Sequence, residues 1–424
     1  MYKNQIRNTI YRVMIRGDMT DPPFSSPLEW VLYVCSKMYH IAVTLRISLY
    51  EKGILRSKRL PCKVISIGNI TVGGTGKTPM VHYVASLLKG LGLEVAVISR
   101  GYGGRQQRAG GIVSDGKRIF MGPRASGDEP QLLASKLEGI PVLVGKDRYR
   151  AGRLAISRFG SSVLVLDDAF QHLSLRRDLD LLLLDSVRPL GNGHCVPRGT
   201  LREPADQLKR ANAFVLTRCY EEESLTHTVS VIKTHAQGHP VFKCGHVPEH
   251  LFVAGEKEPL DLLKLQGRRL FAFSGIAQND DFHAKITGLG GYVAGSLKFP
   301  DHHLYSSDDL ISIWKSAKDL NVDNIITTEK DYFNIGFEPQ KRAHSPSRQS
   351  GTAGLASESK NGKLPYGRRF SAACRSKAEI PSQRGCRDIQ IPLTPPLLVL
   401  AITISFGDDA GRFEDYIKKW AFSP

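Results

Sequence analysis

The sequence contains no Cys-x-x-Cys pair. Its seven cysteines (Cys35, Cys62, Cys195, Cys219, Cys244, Cys374 and Cys386) are scattered along 424 residues. This spacing excludes the common zinc sites and a disulfide framework, and fits a reducing compartment. Acidic residues are in short supply. Against 58 Lys+Arg stand 41 Asp+Glu, a formal net charge of +17, which calls for an anionic partner: nucleic acid, an acidic lipid surface or a phosphorylated substrate. No RNA-binding aromatic signature and no helix-turn-helix accompany that charge, so no nucleic-acid partner is expected. The first twenty residues hold no apolar h-region, and no signal peptide is expected. No internal repeat is present. What remains is a globular composition, 41% hydrophobic, with length enough for two ordinary domains.

Along the chain, residues 1–26 are polar and basic and read as a loose extension. In 27–55 apolar residues recur at steps of three and four: Leu28, Val31, Cys35, Met38, Ala42, Leu45 and Leu49 share one helical face. Glu29, Ser36, Lys37, His40 and Thr44 fall largely on the other. The stretch is long enough to cross a bilayer, but Glu29, Lys37, His40 and Arg46 are costly inside one. An amphipathic helix lying in the membrane interface suits it better. A helix packed on the protein's own core has the same pattern, and both readings stand at this point.

From 56 to 217 apolar, β-rich runs at 63–67, 94–98, 141–144, 162–166, 181–184 and 213–217 alternate with helical or loop stretches. The alternation predicts an α/β fold with a parallel sheet and crossover helices. Residues 218–249 read as a connector. A second αβ block follows over 250–424, with strands near Leu270–Phe273, Asn324–Thr327 and Leu397–Ile404 and a final helix carrying Phe413, Tyr416, Ile417 and Trp420. Residues 339–388, rich in Ser, Gly, Lys, Arg and Pro, read as a disordered basic insertion in that block.

The strongest local signal is the strand Val64–Ile67 running into Thr71-Val72-Gly73-Gly74-Thr75-Gly76-Lys77-Thr78 and a helix that begins near Lys77. Glycines let the backbone turn and aim its N–H groups at phosphate oxygens, and the helix N-terminus adds a favourable dipole. Lys77 suits the β- and γ-phosphates and Thr78 a Mg²⁺ ion. The P-loop pattern asks for Gly where Thr71 stands, so this is a variant of the loop.

A P-loop needs a carboxylate at the end of a neighbouring strand to position the metal. The apolar run Ser162–Leu166 ends in Asp167-Asp168, followed by Ala169-Phe170-Gln171-His172. Capping of the next segment is the plainer use of the two acids, but a pair of acids after so apolar a strand points beyond capping. Gly127-Asp128-Glu129-Pro130 is locally explained as a helix N-cap. Phe299-Pro300-Asp301-His302-His303-Leu304-Tyr305 offers a general base or an orienting partner, or simply a surface histidine. Arg100, Arg148, Arg150, Arg153, Arg198 and Arg202 sit in loop-like contexts where arginine suits phosphate, though solvated charge accounts for most such residues.

Taken in order, these segments resemble the tetraacyldisaccharide 4′-kinases, the lipid A 4′-kinase family. The matching stretches are Tyr50-Glu51-Lys52-Gly53, Asn69–Pro79, Ser99-Arg100-Gly101-Tyr102-Gly103, Gly127–Pro130, Asp167–His172, Leu201-Arg202-Glu203-Pro204, Asp301-His302 and Thr327-Thr328-Glu329-Lys330-Asp331. The resemblance implies a P-loop kinase-type domain, a second, smaller αβα domain, and an active site in the cleft between them. It implies transfer of the ATP γ-phosphate to the 4′-hydroxyl of a tetraacyldisaccharide 1-phosphate, with ATP and Mg²⁺ as cofactors, at the cytoplasmic face of a bacterial inner membrane.

By the same resemblance Asp128 and His302 accept the hydroxyl's proton, with Lys77 and Asp168 in the catalytic set. Thr78, Asp167, Gln171 and Glu203 surround the metal, and Tyr102, Arg148 and Arg202 grip the head group. It also turns the 27–55 helix toward anionic lipid, as a peripheral or monotopic attachment. No obligate protein partner is evident. Ala169 stands where the family usually has Gly, and neither 1–26 nor 339–388 is a family feature. A P-loop ATPase switch at the membrane is the rival reading; it needs neither Asp128 nor His302 for turnover.

Overall fold

The structure, a computed structural model, describes residues 10, 13–14, 26–219, 222–256, 258–276, 278–301, 303–335 and 394–423. His302 and the basic segment 339–388 therefore lie outside the described residues, as does most of the 1–26 extension.

The apolar runs become β1 (Lys63–Asn69), β2 (Val95–Ser99), β4 (Val142–Val144), β5 (Val163–Asp167), β6 (Leu179–Asp185) and β7 (Ala213–Thr217). A further strand, β3 (Gly111–Ser114), and β8 (Val241–Lys243) complete an eight-stranded sheet in the order β3-β4-β2-β5-β1-β6-β7-β8. All its pairings are parallel except that of the edge strand β3. The inner strands β1, β2, β5, β6 and β7 are buried almost throughout. That is why they read as continuous apolar runs: a parallel sheet has both faces covered by helices.

The strand order places the chemistry. The chain runs outward from β1 to β2 and β4, then returns through β5 to the other flank at β6. Ligands bind at such reversals, beyond the carboxyl ends of the strands. Here β1 and β5 pair in register with Ile67 opposite Asp167, and β2 lies on the far side of β5 with Ile98 opposite Leu166. The loop after β1, the acids at the end of β5 and Ser99 at the end of β2 therefore emerge together.

A second sheet has the order β11-β10-β12-β13-β9, formed by β9 (Gly245–Val253), β10 (Arg269–Ser274), β11 (Tyr292–Lys298), β12 (Asn324–Thr328) and β13 (Leu397–Ser405). It is parallel except for β9, which runs antiparallel to β13. The stretch 218–249, expected as a connector, instead carries the helix Glu222–His235 and β8 of the first sheet. Only Cys244 separates β8 from β9, so the chain first passes between the sheets through a single residue. The closing helix Ala410–Ala421 follows the second sheet in sequence but buries Phe413, Ile417 and Ala421 in the first core. They pack with Val81, Val84 and Leu88 of the helix Lys77–Gly90.

The helix Pro27–Glu51 starts as its sequence dictates, with Ser26 accepting from the Glu29 backbone N–H and Pro27 in the first turn. Its orientation is the reverse of a core helix. Glu29, Leu32, Ser36 and Ile47 are buried, while Trp30, Val31, Val34, Met38, Ile41 and Leu45 are exposed, each by half or more. The Ser36 hydroxyl donates to the Cys195 carbonyl at 2.7 Å and the Tyr39 hydroxyl to the Arg202 carbonyl at 2.9 Å. Arg46 donates to the Gln171 carbonyl at 3.2 Å. The polar edge docks on the loops of the first sheet and the apolar stripe faces out. Among the described residues no helix is long and apolar enough to cross a membrane.

Candidate active site

The loop Thr71–Thr78 joins β1 to the helix Lys77–Gly90. Thr71, Thr75 and Lys77 are buried, and Val72, Gly73 and Gly74 are exposed. Gly76 caps the helix at φ 79°, where only glycine is comfortable. Space demands glycine as well, since a Cβ there would fall 2.0 Å from His246 Nε2 of β9. That nitrogen is buried and has no hydrogen-bond partner among the described residues. Gln278 also reaches the loop from the second half and donates to the Gly74 carbonyl at 3.5 Å. Facing Thr71–Thr75, a cavity is lined on its other side by Asp185, Arg188, Asn192 and Gln278.

Asp167 and Asp168 end β5 in different states. Asp167 is buried and accepts from the Ser99 hydroxyl at 2.9 Å through Oδ2, while Oδ1 has no partner among the described residues. Burial, then the charges of Glu129 and Asp168, push its carboxyl up to about 7. Asp168 sits at φ 49°, a conformation uncommon for a non-glycine residue and frequent at functional sites. Burial alone would raise its carboxyl, but Lys77 and Arg202 hold it below its ordinary value. Lys77 Nζ stands 3.8 Å from Oδ1, and one Arg202 nitrogen touches both oxygens at 2.9 Å. Two adjacent carboxyls whose environments drive them apart mark a site built for acid–base or metal work.

The other expected residues are placed as follows. Gln171 donates to the Asn69 carbonyl at 2.9 Å, just before the loop. Glu203 is buried and ion-paired with Arg210 through Oε2, while Oε1 has no partner among the described residues. Arg210 in turn lies over the Phe170 ring, 4.4 Å from its centroid. Arg148 is buried and donates to the backbone carbonyls of Gly145 at 3.2 Å and Asp167 at 3.4 Å. It is thus tied to the strand ends rather than exposed for a ligand. Tyr102 is 65% exposed, in the loop after β2. Gly127, at φ 93°, lets that loop approach: a Cβ there would meet the Tyr102 carbonyl at 2.7 Å. The contact carries Tyr102 to the residue preceding Asp128, which opens the helix Asp128–Lys136 and accepts from the Glu129 N–H at 3.0 Å.

In the second half, Asp301 and His303 flank His302 in the chain. Asp301 pairs with Lys330 at 2.7 Å. His303 bonds Asp309 at 3.0 Å and stacks on Phe299, which ties this histidine to the cap of the helix Ser307–Asp319. Sequence reasoning did not find Arg210, His246 or Gln278. His246 and Gln278 meet the site from distant parts of the chain, and Arg210, seven residues after Glu203, belongs to no motif that marks it.

This arrangement has relatives. The sequence model described as Tetraacyldisaccharide-1-P 4′-kinase (LpxK) matches residues 28–350. The Tetraacyldisaccharide 4′-kinase of Desulfatibacillum aliphaticivorans is 46% identical over 313 residues, spanning 72% of this chain and 83% of that one. That of Syntrophus aciditrophicus is 44% identical over 329 residues, 76% and 87% of the two chains. The chain belongs to the tetraacyldisaccharide 4′-kinase family. A crystal structure of LpxK from Aquifex aeolicus, described as an "apo" form in complex with ATP, superposes with a TM-score of 0.61 at 26% identity, covering 91% of this chain and 97% of that one. Phosphoryl transfer at a P-loop calls for a divalent cation beside the phosphates, and the residues present fit one. The orphaned Asp167 Oδ1 and Glu203 Oε1 are carboxylate oxygens without donors among the described residues. Among those residues no three His, Cys, Asp or Glu side chains group to hold a metal by themselves.

Proposed function

We propose that this chain transfers the γ-phosphate of ATP to the 4′-hydroxyl of a tetraacyldisaccharide 1-phosphate, the 4′-phosphorylation step of lipid A biosynthesis. The observation that carries the reading is the meeting of a family-typical nucleotide loop with Lys77, Arg202 and the acid pair at one end of the sheet. Loop N–H groups of Thr71–Thr78 and the Lys77 ammonium bind the phosphates, and Thr78 and Asp167 would hold Mg²⁺, with Gln171 and Glu203 around it. Bound there, Mg²⁺ would supply positive charge that neutralises the transferring group. Asp128, with His302, takes the proton of the 4′-hydroxyl as its oxygen bonds to the γ-phosphorus and the bond to the β-phosphate oxygen breaks. Asp168, kept ionised, orients Lys77 and Arg202. Tyr102 and Arg202 meet the head group, and Arg148 shapes the floor from within.

The acceptor is a lipid, and the outward stripe Trp30–Leu45 gives the chain a means to reach it. The helix lies on the cytoplasmic face of the inner membrane, its apolar side chains among the lipids and Lys37 and His40 available to anionic head groups.

The test is transfer of label from γ-labelled ATP to the acylated disaccharide 1-phosphate in detergent micelles with Mg²⁺. Labelled lipid is expected, falling by about tenfold or more in Asp128→Ala and in His302→Ala, as for loss of a general base. ATP hydrolysis with no labelled lipid, unchanged by either substitution, would replace the kinase with an ATPase switch.

A further inference from the structure

The stretch Thr327-Thr328-Glu329-Lys330-Asp331 has no part in the chemistry described so far, yet three of its side chains are committed to three different places. It ends β12 and opens the helix Glu329–Ile335. Asp331 faces its own half. It is fully buried, its Oδ1 accepts from the Gly275 N–H at 2.8 Å and the Tyr305 hydroxyl at 2.9 Å, and its Oδ2 accepts from the Thr328 hydroxyl at 2.6 Å. Those bonds tie the turn to both ends of the second half's active-site edge, the end of β10 and the loop Phe299–Tyr305.

Glu329 faces the first half. It meets Lys136, the last residue of the helix that Asp128 begins, at 2.8 Å, and Glu249 of β9 joins the same ammonium at 3.6 Å. Glu329 and Lys136 are 11% and 18% exposed, so water screens this pair less than a surface pair.

Lys330 stands between. Its ammonium is 2.7 Å from Asp301, the residue that precedes His302, and its side chain is 21% exposed. Burial acts to lower its pKa, but Asp301 first, then Asp128 and Glu129, raise it above the ordinary value. The cation therefore pairs directly with Asp301 of its own half and also feels the charges of Asp128 and Glu129 of the other.

We propose that Lys330 is a positioning residue that draws the Asp301 loop and the Asp128 end of its helix together across the cleft, with Glu329 fastening the far end of that helix and Asp331 fixing the turn that carries both. The inference rests on the kinase reading and on Asp128 as base. It explains why a lysine follows a glutamate here. Glu329 grips Lys136 at one end of this short helix, while the Lys330 charge acts on Asp128 and Glu129 at its other end, so the two consecutive residues address both ends of the helix. Proton transfer and in-line attack tolerate little misplacement, and a shift of about 1 Å costs up to about 100-fold.

The experiment compares Lys330→Met, Lys330→Arg and Asp301→Asn in the full chain, in micelles, with kcat, KM for ATP and KM for the lipid measured beside thermal melting. Lys330→Met removes the charge and keeps the length. Its kcat is expected to fall about 10- to 100-fold, with KM for ATP within about twofold because the nucleotide loop is untouched. Lys330→Arg should recover most of that loss, which a purely packing role would not give. Asp301→Asn releases the same bridge from its other end and should lower kcat in the same way even if Lys330→Met does not fold. A folded Lys330→Met or Asp301→Asn with wild-type kcat overturns the clamp, as does an arginine variant no better than the methionine one. A wild type that labels no lipid overturns the kinase reading and the clamp with it. Wild-type transfer that needs Asp128 but not Lys330 overturns the clamp alone.

Discussion

The helices Pro27–Glu51 and Ala410–Ala421 are both amphipathic, and they turn their apolar faces in opposite directions. The second buries Phe413, Ile417 and Ala421 against the first sheet's core, with Phe413 stacked on Phe406 at 4.0 Å and edge-on to Phe242 at 5.2 Å. The first docks through Ser36, Tyr39 and Arg46 and leaves Trp30, Val31, Val34, Met38, Ile41 and Leu45 to the outside. Apolar residues spaced at three and four give a helix a face; the spacing does not say what the face meets. Each large apolar side chain left in water forgoes about 1.5–3 kcal/mol of burial. Such a stripe, held in place by polar bonds to the active-site loops, is explained by a partner that covers it, and the proposed lipid acceptor lies in a membrane.

Ranked by effect on the folded state, the comparison breaks or sharpens first at the C-terminal helix. Phe413→Ala empties a site with no solvent exposure and should cost about 3–5 kcal/mol, as for other buried aromatics. Urea unfolding monitored by fluorescence measures it. A loss below about 1 kcal/mol, the range of a surface change, would mean that this helix does not belong to the first core and that the contrast is false. The helix Lys77–Gly90, which begins in the candidate nucleotide loop, packs on these side chains.

A middle effect is expected where the N-terminal helix is docked. Tyr39→Phe deletes the hydroxyl that donates to the Arg202 carbonyl. About 1 kcal/mol should be lost, seen in the same unfolding experiment. Because Arg202 also clasps Asp168, a rise in KM for the lipid should accompany it. Stability and KM both unchanged would mean that the helix merely rests on the site.

The large sheet was legible because burial on both faces wrote its strands as unbroken apolar runs, and β1, β2, β4, β5, β6 and β7 lie within a residue or two of those runs. The second sheet was legible at β10, β12 and β13, which are buried for the same reason. Its outer strands were not. In β9 the order Gly-His-Val-Pro-Glu-His gives a half-buried edge with no clean alternation, and β11 is largely exposed or half-buried. The three-residue β8, following Pro240, was too short to see, so its region read as a connector. At the site, the loop 71–78 and Asp167-Asp168 announced themselves by type and spacing. Arg148 did not announce its burial: an arginine bonded to backbone carbonyls and an arginine awaiting a phosphate have the same letter. Contacts such as His246 on Gly76 and Gln278 on Gly74 depend on how the chain returns, which no local window records.

The smallest effect on the fold is expected from the exposed stripe, and it is the sharpest test of the contrast. Met38 and Ile41 are each 66% exposed, so Met38→Ser with Ile41→Ser should move unfolding by no more than about 0.5 kcal/mol per site. If the stripe meets lipid, the same pair removes about 3 kcal/mol or more of apolar contact with the membrane, on the order of a 100-fold loss in binding. Co-sedimentation with vesicles of mixed neutral and anionic lipid measures this directly. Turnover on micellar substrate should fall through KM for the lipid while KM for ATP holds, since no residue of the nucleotide loop is altered. A double variant that is destabilised like Phe413→Ala would show instead that the stripe packs on protein. A variant that keeps both stability and vesicle binding would leave Lys37 and the chain's other exposed basic residues to hold the membrane through charge, and binding would then collapse as salt is raised.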